Sequence, residues 1–289
     1  MTSPIHHEVD GDVYVHPRHL AGSLNTGDAA LAPLLGLGWS IEHDDVGNVY
    51  VDAPDRRVRI GFLPEGQDDG LWRINGYADP FGPPTWGMCA SDAVPTEFVT
   101  AVTTVLATEY AKDPEGLFEH VVPRKGESFR PIQQLLDQDW RFDVTHLVLR
   151  DVYAVVAPDH LAGLDFLPGE LDPDVELTTR GARWEFWGGD KSPGTAHWYT
   201  TATTRTPLPL LNALATSISD PAPLPRWRKE THSYIPGRAR LTPIRPQAPT
   251  PRDVASVFAR RPATAPAGSV PRWTTSSSPA SPARRGPGR

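Results

Sequence analysis

LWRINGYADPFGPPTWGMCASDAVP (71–95) and RWEFWGGDKSPGTAHWYTTATTRTP (183–207) carry the same landmarks at the same places. Trp72, Trp86 and Pro95 stand in the first at the intervals that Trp184, Trp198 and Pro207 keep in the second. All three pairs therefore share one sequence offset. Self-similarity at a fixed long separation marks a duplicated structural unit, and it constrains the fold before any single element is assigned.

Upstream the correspondence continues at shorter offsets. PLLGLGW (33–39) matches PIQQLLDQDW (131–140), and Phe62-Leu63-Pro64 matches Phe166-Leu167-Pro168. The second copy therefore gains residues twice, and the larger gain falls in LPGELDPDVELTTRG (167–181), whose Pro, Gly and Asp suit a surface loop. A competing alignment sets Val13-Tyr14 and PRHLAG (17–22) against Val152-Tyr153 and PDHLAG (158–163). The Trp alignment is preferred because it retains a helix, two strands and three Trp positions, whereas the other deletes about half the unit.

Within one unit, DAALAPLLGLG (28–38) begins at a capping Asp and ends at Gly, the pattern of a short helix. WSIEHD, NVYVDA and RVRIGFL alternate or are β-branched, and turn formers separate them. LWRINGY and TWGMCAS supply two more strands around ADPFGPP, a loop whose prolines exclude it from a sheet interior. PTEFVTAVTTVLATEYA (95–111) opens on Pro, places Glu97 at the helix N-terminus and spaces Phe98, Val102, Val105 and Leu106 along one face. The second copy repeats the order in FRPIQQLLDQ, WRFDVTHLVL, DVYAVVA, LAGLDFL, RWEFWGG, HWYTTAT and PLPLLNALATSIS. A sheet with one apolar face needs a cover, which the helices provide. The expected fold is α+β: two tandem modules, each a helix, a roughly five-stranded antiparallel meander and a closing helix. The expected divisions are a flexible N-terminus (1–11), modules at 12–112 and 113–222, a partly ordered extension (223–243) and a disordered Pro/Arg-rich tail (244–289). VASVFAR (254–260) is the helix-like island of that tail, and Trp227, Tyr234 and Ile235 are the expected packing points of the extension.

Charge divides the chain in the same way. Residues 226–289 hold 13 Lys/Arg against 2 Asp/Glu, net +11, and residues 1–225 hold 15 against 33, net −18. An acidic body repels phosphates, so nucleic-acid binding is expected only through the tail, residues 226–289. PIRPQAPTP in that tail has the spacing of a polyproline ligand. The single cysteine, Cys89, excludes an intramolecular disulfide and a multi-thiolate metal site, which suits a cytoplasmic protein. The beginning of the chain lacks a basic region followed by an apolar core, and no apolar run approaches about 18 residues, so neither a standard secretion signal nor a membrane span is expected.

The candidate chemistry is sparse. Six Trp residues (39, 72, 86, 140, 184 and 198) recur in both copies and read as shared core. Trp187 and Trp227 have no counterpart and are the candidates for a binding surface. His16 and His19, with Arg18 between them and His6 and His7 nearby, have a spacing compatible with a metal, yet no carboxylate or Cys follows at ligand spacing. Cys89 sits mid-strand, where a thiol behaves as a small buried hydrophobe. Asp44-Asp45, Asp68-Asp69 and Asp172 to Asp174 fall in turns, and no phosphate-cradling or nucleophile-elbow motif is present. No cofactor is expected.

HPRHLAG (16–22), Gly38-Trp39, FLPE (62–65) and the paired-Trp segment together resemble the actinobacterial domain of unknown function 317 family, over roughly residues 12–220. The resemblance implies tandem copies of one module and brings no activity, substrate or catalytic residue with it. The second copy departs from it at Asp139, in place of the Gly before Trp, and at VVPRKGES (121–128), where PRHLAG belongs. The function expected from these observations is a non-enzymatic interaction or adaptor protein with a protein or peptide partner, the interacting residues being His16, Arg18, His19, Trp187 and Trp227. The alternatives are a nucleic-acid-associated protein attached through its tail, and an enzyme with a site between the modules lined by His16, His19, Asp44 or Asp45.

Overall fold

In the computed structural model, residues 11–24, 26–65, 70–118, 129–143, 152–179, 182–189, 197–228 and 238–244 are described. The chain divides into a unit of residues 1–244, which contains all of these, and a unit of residues 245–289. Strand β1 (Asp12–His16) runs into a 3-10 turn, Arg18–Leu20. The first copy follows as α1 (Asp28–Leu35), β2 (Ser40–His43), β3 (Val49–Asp52), β4 (Val58–Phe62), β5 (Trp72–Gly76), β6 (Trp86–Ala90) and α2 (Thr96–Lys112), closed by a second 3-10 turn, Glu115–Leu117. The second copy is α3 (Arg130–Leu136), β7 (Arg141–Phe142), β8 (Tyr153–Val156), β9 (Ala162–Phe166), α4 (Pro173–Thr178), β10 (Trp184–Gly189), β11 (His197–Ala202) and α5 (Leu208–Ser219). Strands β12 (Leu224–Trp227) and β13 (Arg240–Pro243) end the described chain.

The expected α+β plan of helix, five-stranded meander and closing helix is present twice. The two meanders are not separate sheets. They join through their fifth strands into one ten-stranded antiparallel sheet, β2-β3-β4-β5-β6-β11-β10-β9-β8-β7, with Ala90, Cys89 and Met88 opposite Thr200, Thr201 and Ala202. The strand order reads forward through one copy and backward through the other, so the copies are related by a pseudo-twofold axis at the seam. The opening and closing helices of the two copies lie in the order α1, α2, α5, α3, and α2 and α5 meet at the centre. Trp72, Ile74 and Trp86 from one half and Trp184, Phe186 and Trp198 from the other meet Phe98 and Leu106 of α2 and Leu211 and Leu214 of α5 in one core. All six repeated Trp side chains are buried.

A close aromatic contact recurs in both halves. Trp86 lies flat over Gly76, its strand partner, where a Cβ would stand 2.2 Å from the indole; Trp198 lies over Gly188 with the corresponding distance 2.4 Å. Gly76 and Gly188 are separated by the same offset as the Trp pairs. Each indole N–H donates to a carbonyl of a 3-10 turn: Trp86 Nε1 to Leu117 O at 3.0 Å, and Trp198 Nε1 to His19 O at 2.7 Å. The first copy thus uses the turn after its own closing helix, and the second borrows the turn that precedes α1. Other landmarks repeat as faithfully. Phe62 packs on Trp72 at 4.7 Å and Phe166 on Trp184 at 4.6 Å. Trp39 N and Trp140 N return to the carbonyls of Leu34 and Leu135. Gly38 (φ 79°) and Asp139 (φ 64°) both stop their helices in the left-handed region, which Asp tolerates, so the departure at Asp139 preserves the backbone.

The PRHLAG and PDHLAG segments are not structural equivalents. The first is the 3-10 turn, whereas the second is the β8–β9 hairpin, in which His160 (φ 59°) repeats the left-handed Arg56 (φ 58°) of the β3–β4 hairpin, at the offset that also relates the two FLP segments. The surface loop expected in 167–181 contains α4, with Asp172 accepting from Asp174 N at its start. Glu176 of α4 is buried, and its Oε1 accepts from Arg183 N at 3.0 Å and from Thr204 N and Thr204 Oγ1, each at 2.9 Å. Of WRFDVTHLVL only Arg141–Phe142 form a strand among the described residues, and 144–151, VVPRKGES, Tyr234, Ile235 and VASVFAR lie outside them. Strand β1, read from the sequence as the start of the first module, pairs with β12 and β13 in a separate three-stranded sheet, β12-β1-β13.

The Trp-on-Gly contact is testable. Gly76→Ala and Gly188→Ala should each lower the free energy of unfolding in denaturant by roughly 3 kcal/mol, as overpacking against a fixed ring does. Gly61→Ala, whose Cβ would meet only the end of the Leu63 side chain at 3.3 Å, should change it by less than about 1 kcal/mol.

Candidate functional site

The residues around β1 are engaged in holding the fold. Arg18 donates from Nη1 to Ser217 O at 2.9 Å and pairs with Asp220, placing a cation at the C-terminus of α5, where the helix dipole favours it. His19 is buried, with Nε2 2.9 Å from Asp159 Oδ2 at the β8–β9 hairpin. The first copy has a corresponding joint with the carboxylate on the turn and not on the hairpin: Arg57 at the β3–β4 hairpin forms a two-pronged pair with Glu115 of the second 3-10 turn and lies 4.1 Å over the Phe118 ring. Burial pushes the Asp159 carboxyl up, but the hydrogen bond and charge of His19 and the Leu161 N–H outweigh it, and the net position is below the ordinary value of 3.8. His16 ends β1, half-buried, and Trp227 is exposed on β12 opposite Asp12. Among the described residues no group of three His, Cys, Asp or Glu side chains is arranged to hold a metal.

Arg226, counted from the sequence with the basic tail, is a correction to that count. It is 3% exposed, and its Nη1 and Nη2 each donate at 2.7 Å to one oxygen of Glu97. Nη2 also reaches Gly22 O at 2.8 Å. This fork ties β12 to the first turn of α2 across 129 residues of sequence, which no local pattern reveals. Residues 245–289 retain eight Arg against one Asp.

Trp187 is also corrected: it is 5% exposed and does not belong to an exposed surface. It projects from the sheet face opposite the helices, lies over Gly163 and donates from Nε1 to the buried Asp165 at 3.1 Å. Tyr199, its register partner, and Val156 are buried on the same face. At the constant offset of the Trp pairs, Trp187 and Tyr199 correspond to Asn75 and Gly87, which carry no ring. There the opposite face holds a cavity of about 340 Å³ at the seam, bounded by β5, β6, β11 and α4 and lined by Arg73, Asn75, Cys89, Leu177, Thr201 and Thr203 among others. The half-buried Cys89 thus faces a pocket, not the core expected for it. None of His16, His19, Asp44 or Asp45 lines this intermodule pocket. Asp44 instead closes its own turn, accepting from Asn48 N at 2.8 Å and Val46 N at 3.1 Å.

Two further surfaces stand out. The groove between α2 and α5 encloses about 780 Å³, but Thr100 and Thr104 on its wall return their hydroxyls to carbonyls of their own helix, at 2.9 and 2.7 Å. The β5–β6 loop presents Phe81, 93% exposed. That loop is braced: Arg59 Nη2 donates to Pro80 O at 2.6 Å, its guanidinium lies 4.6 Å over Tyr77, and Asp79 accepts from Phe81 N at 3.0 Å. The sequence reading identified ADPFGPP as a loop and did not single out its one aromatic.

Removing one partner of a buried ion pair leaves an uncompensated charge, so Arg226→Met should cost about 3 kcal/mol of unfolding free energy, and a double-mutant cycle with Glu97→Gln should return a coupling of about 2 kcal/mol. Because the Asp159 carboxyl is held below its ordinary value, its contribution is complete above that value and disappears as pH falls through the lowered one. The stability difference between the wild type and Asp159→Asn should therefore shrink along the acid limb of an unfolding series taken below pH 3.8.

Among the described residues no helix is long and apolar enough to cross a membrane. No curated protein and no solved structure is detectably similar to the chain. The model of the SPDY family, a domain of unknown function (DUF317), matches residues 52–111 and 156–224. Each match runs from the turn between the second and third strands of a meander through its closing helix, so FLPE and the paired Trp residues fall within the matched segments while HPRHLAG and Gly38-Trp39 fall outside. The chain is similar to that family in two tandem segments.

Proposed function

We propose that the chain is a non-enzymatic adaptor of the actinobacterial tandem DUF317 type, acting in the cytoplasm, and that its modules, residues 12–112 and 113–222, together present a protein or peptide partner with one recognition surface. The observation that carries this reading is Phe81: a large aromatic, 93% exposed, on a loop braced by Arg59 and Asp79. An aromatic ring held outward before binding supplies contact area with little ordering cost, which is how interface anchors act. Of the interacting residues expected from the sequence, Trp227 stays accessible on this reading, while Arg18, His19 and Trp187 serve the platform. A second reading assigns nucleic-acid attachment to residues 226–289, and the eight Arg of 245–289 support it. It requires binding that falls steeply with salt and is lost on truncation after residue 244.

A photoreactive phenylalanine analogue at position 81 should cross-link to a protein from native lysate at several salt concentrations. Phe81→Ser should weaken capture by roughly 30-fold, the scale of an anchor residue, with unfolding unchanged. Capture that is indifferent to Phe81→Ser, or abolished by the truncation alone, would overturn the reading.

A further inference from the structure

We propose that the seam pocket binds a small aliphatic amine in its protonated form, with the carboxylate of Glu176 as an acceptor of its ammonium group. The proposal goes beyond the adaptor reading and rests neither on it nor on Phe81. It starts from one oxygen atom. Glu176, in α4, is 5% exposed, and three donors converge on its Oε1: Arg183 N at 3.0 Å, and Thr204 N and Thr204 Oγ1, each at 2.9 Å. None of the three carries a charge, so no cation pairs with the carboxylate directly. Among the described residues its Oε2 meets no donor, yet that oxygen is not sealed inside the protein, and Glu176 borders the pocket. A largely buried carboxylate with half its acceptor capacity unused is costly, and a donor entering the cavity removes that cost.

Two further groups point the same way. Thr201, on β11, is 7% exposed and borders the same cavity, and among the described residues its hydroxyl has no partner. Asn75, half-buried on β5, has a side-chain amide equally without a partner among them, and its Oδ1 stands 2.8 Å from where a Gly87 Cβ would be. Gly87 therefore leaves the room that this amide occupies. Three oxygens from α4, β11 and β5 thus border one space of about 340 Å³, within the size range of small-molecule sites and at a junction of modules, where pockets concentrate.

This lining selects the ligand. An ammonium group has three N–H donors and no acceptor, the complement of a carboxylate, an amide oxygen and a hydroxyl oxygen. Leu177, 3.4 Å from the same Gly87 Cβ position, and Ala182 supply apolar surface for a short methylene chain. Arg73 also borders the cavity, but it is exposed on β5 and engaged with a partner of its own, so it offers no free charge to an anion. The net charge of −18 on residues 1–225 concentrates cations around the body. Because α4 lies in the segment by which the second copy exceeds the first, the chain has one such site and not two.

The test uses the full chain and butylamine at neutral pH as probe, with butanol and butyrate as comparators. Calorimetry and ligand-observed NMR should show saturable binding of one butylammonium per chain, at least roughly tenfold tighter than either comparator. Glu176→Gln keeps an oxygen for Arg183 and Thr204 and turns an amide N–H toward the ligand, so it should weaken binding by roughly tenfold or more. Thr201→Val, which keeps the shape and removes the hydroxyl, should weaken it by roughly threefold or more. Asp45→Asn, in an exposed turn away from the pocket, should leave it unchanged. No saturable binding to the wild type would overturn the proposal, as would butanol or butyrate binding as tightly as butylamine. A loss in Asp45→Asn equal to that in Glu176→Gln would reduce the effect to diffuse surface charge and sink it. Should Glu176→Gln fail to fold, intact binding in a normally melting Thr201→Val is enough to reject it.

Discussion

The indole of Trp86 lies on the bare backbone of Gly76, and that of Trp198 on Gly188, one such contact in each half of the molecule. A ring lying flat on a neighbouring strand is possible only where that strand has no side chain. Once there, it buries an N–H that must find an acceptor. That need recruits a 3-10 turn to each half, Glu115–Leu117 for one and Arg18–Leu20 for the other. The turns in turn bring Glu115 to Arg57 and His19 to Asp159, so each hairpin is tied down by a pair of opposite polarity. Much of the remaining architecture, including the position of β1, follows from where the second turn must be.

Joining the meanders through β6 and β11 removes two sheet edges, which would otherwise be open to pairing with other chains. It leaves β2 and β7 at the rims, where Ile41 and Phe142 remain exposed at equivalent places of the two copies. The two halves share their helix-side core and differ on the opposite face. The helix-side surface is repeated in both copies, and the opposite one differs: buried rings in one half, a pocket in the other.

Much of the fold was legible because core positions recur. Trp72, Trp86, Trp184 and Trp198 at one separation were enough to establish two copies, and the alternation around them gave the strands. Gly76 and Gly188 obey the same separation, but nothing local to a strand glycine tells that a ring lies on it. Trp187 lies beyond what that pattern conveys. Its parity, odd against the even Trp184 and Phe186, places it on the far face, but parity does not say whether the far face is wet. Arg226 was invisible as a buried charge because its partner, Glu97, stands 129 residues away, and counting charge by segment assigns every cation to solvent. The seam pocket needed a fact of the same kind, that α4 crosses to the other copy.

Strand β1 lies between β12 and β13, so Asp12 meets Trp227 and His16 meets Arg240. On the ribosome the earliest strand of this sheet has no partner until its last strands emerge. At about 5–20 residues per second, that interval is roughly 10 to 45 s. Trp198, made late in the same interval, is capped by a carbonyl, His19 O, that lies 179 residues before it. The second half of the molecule thus depends for one of its buried donors on a turn synthesised ahead of the whole first half.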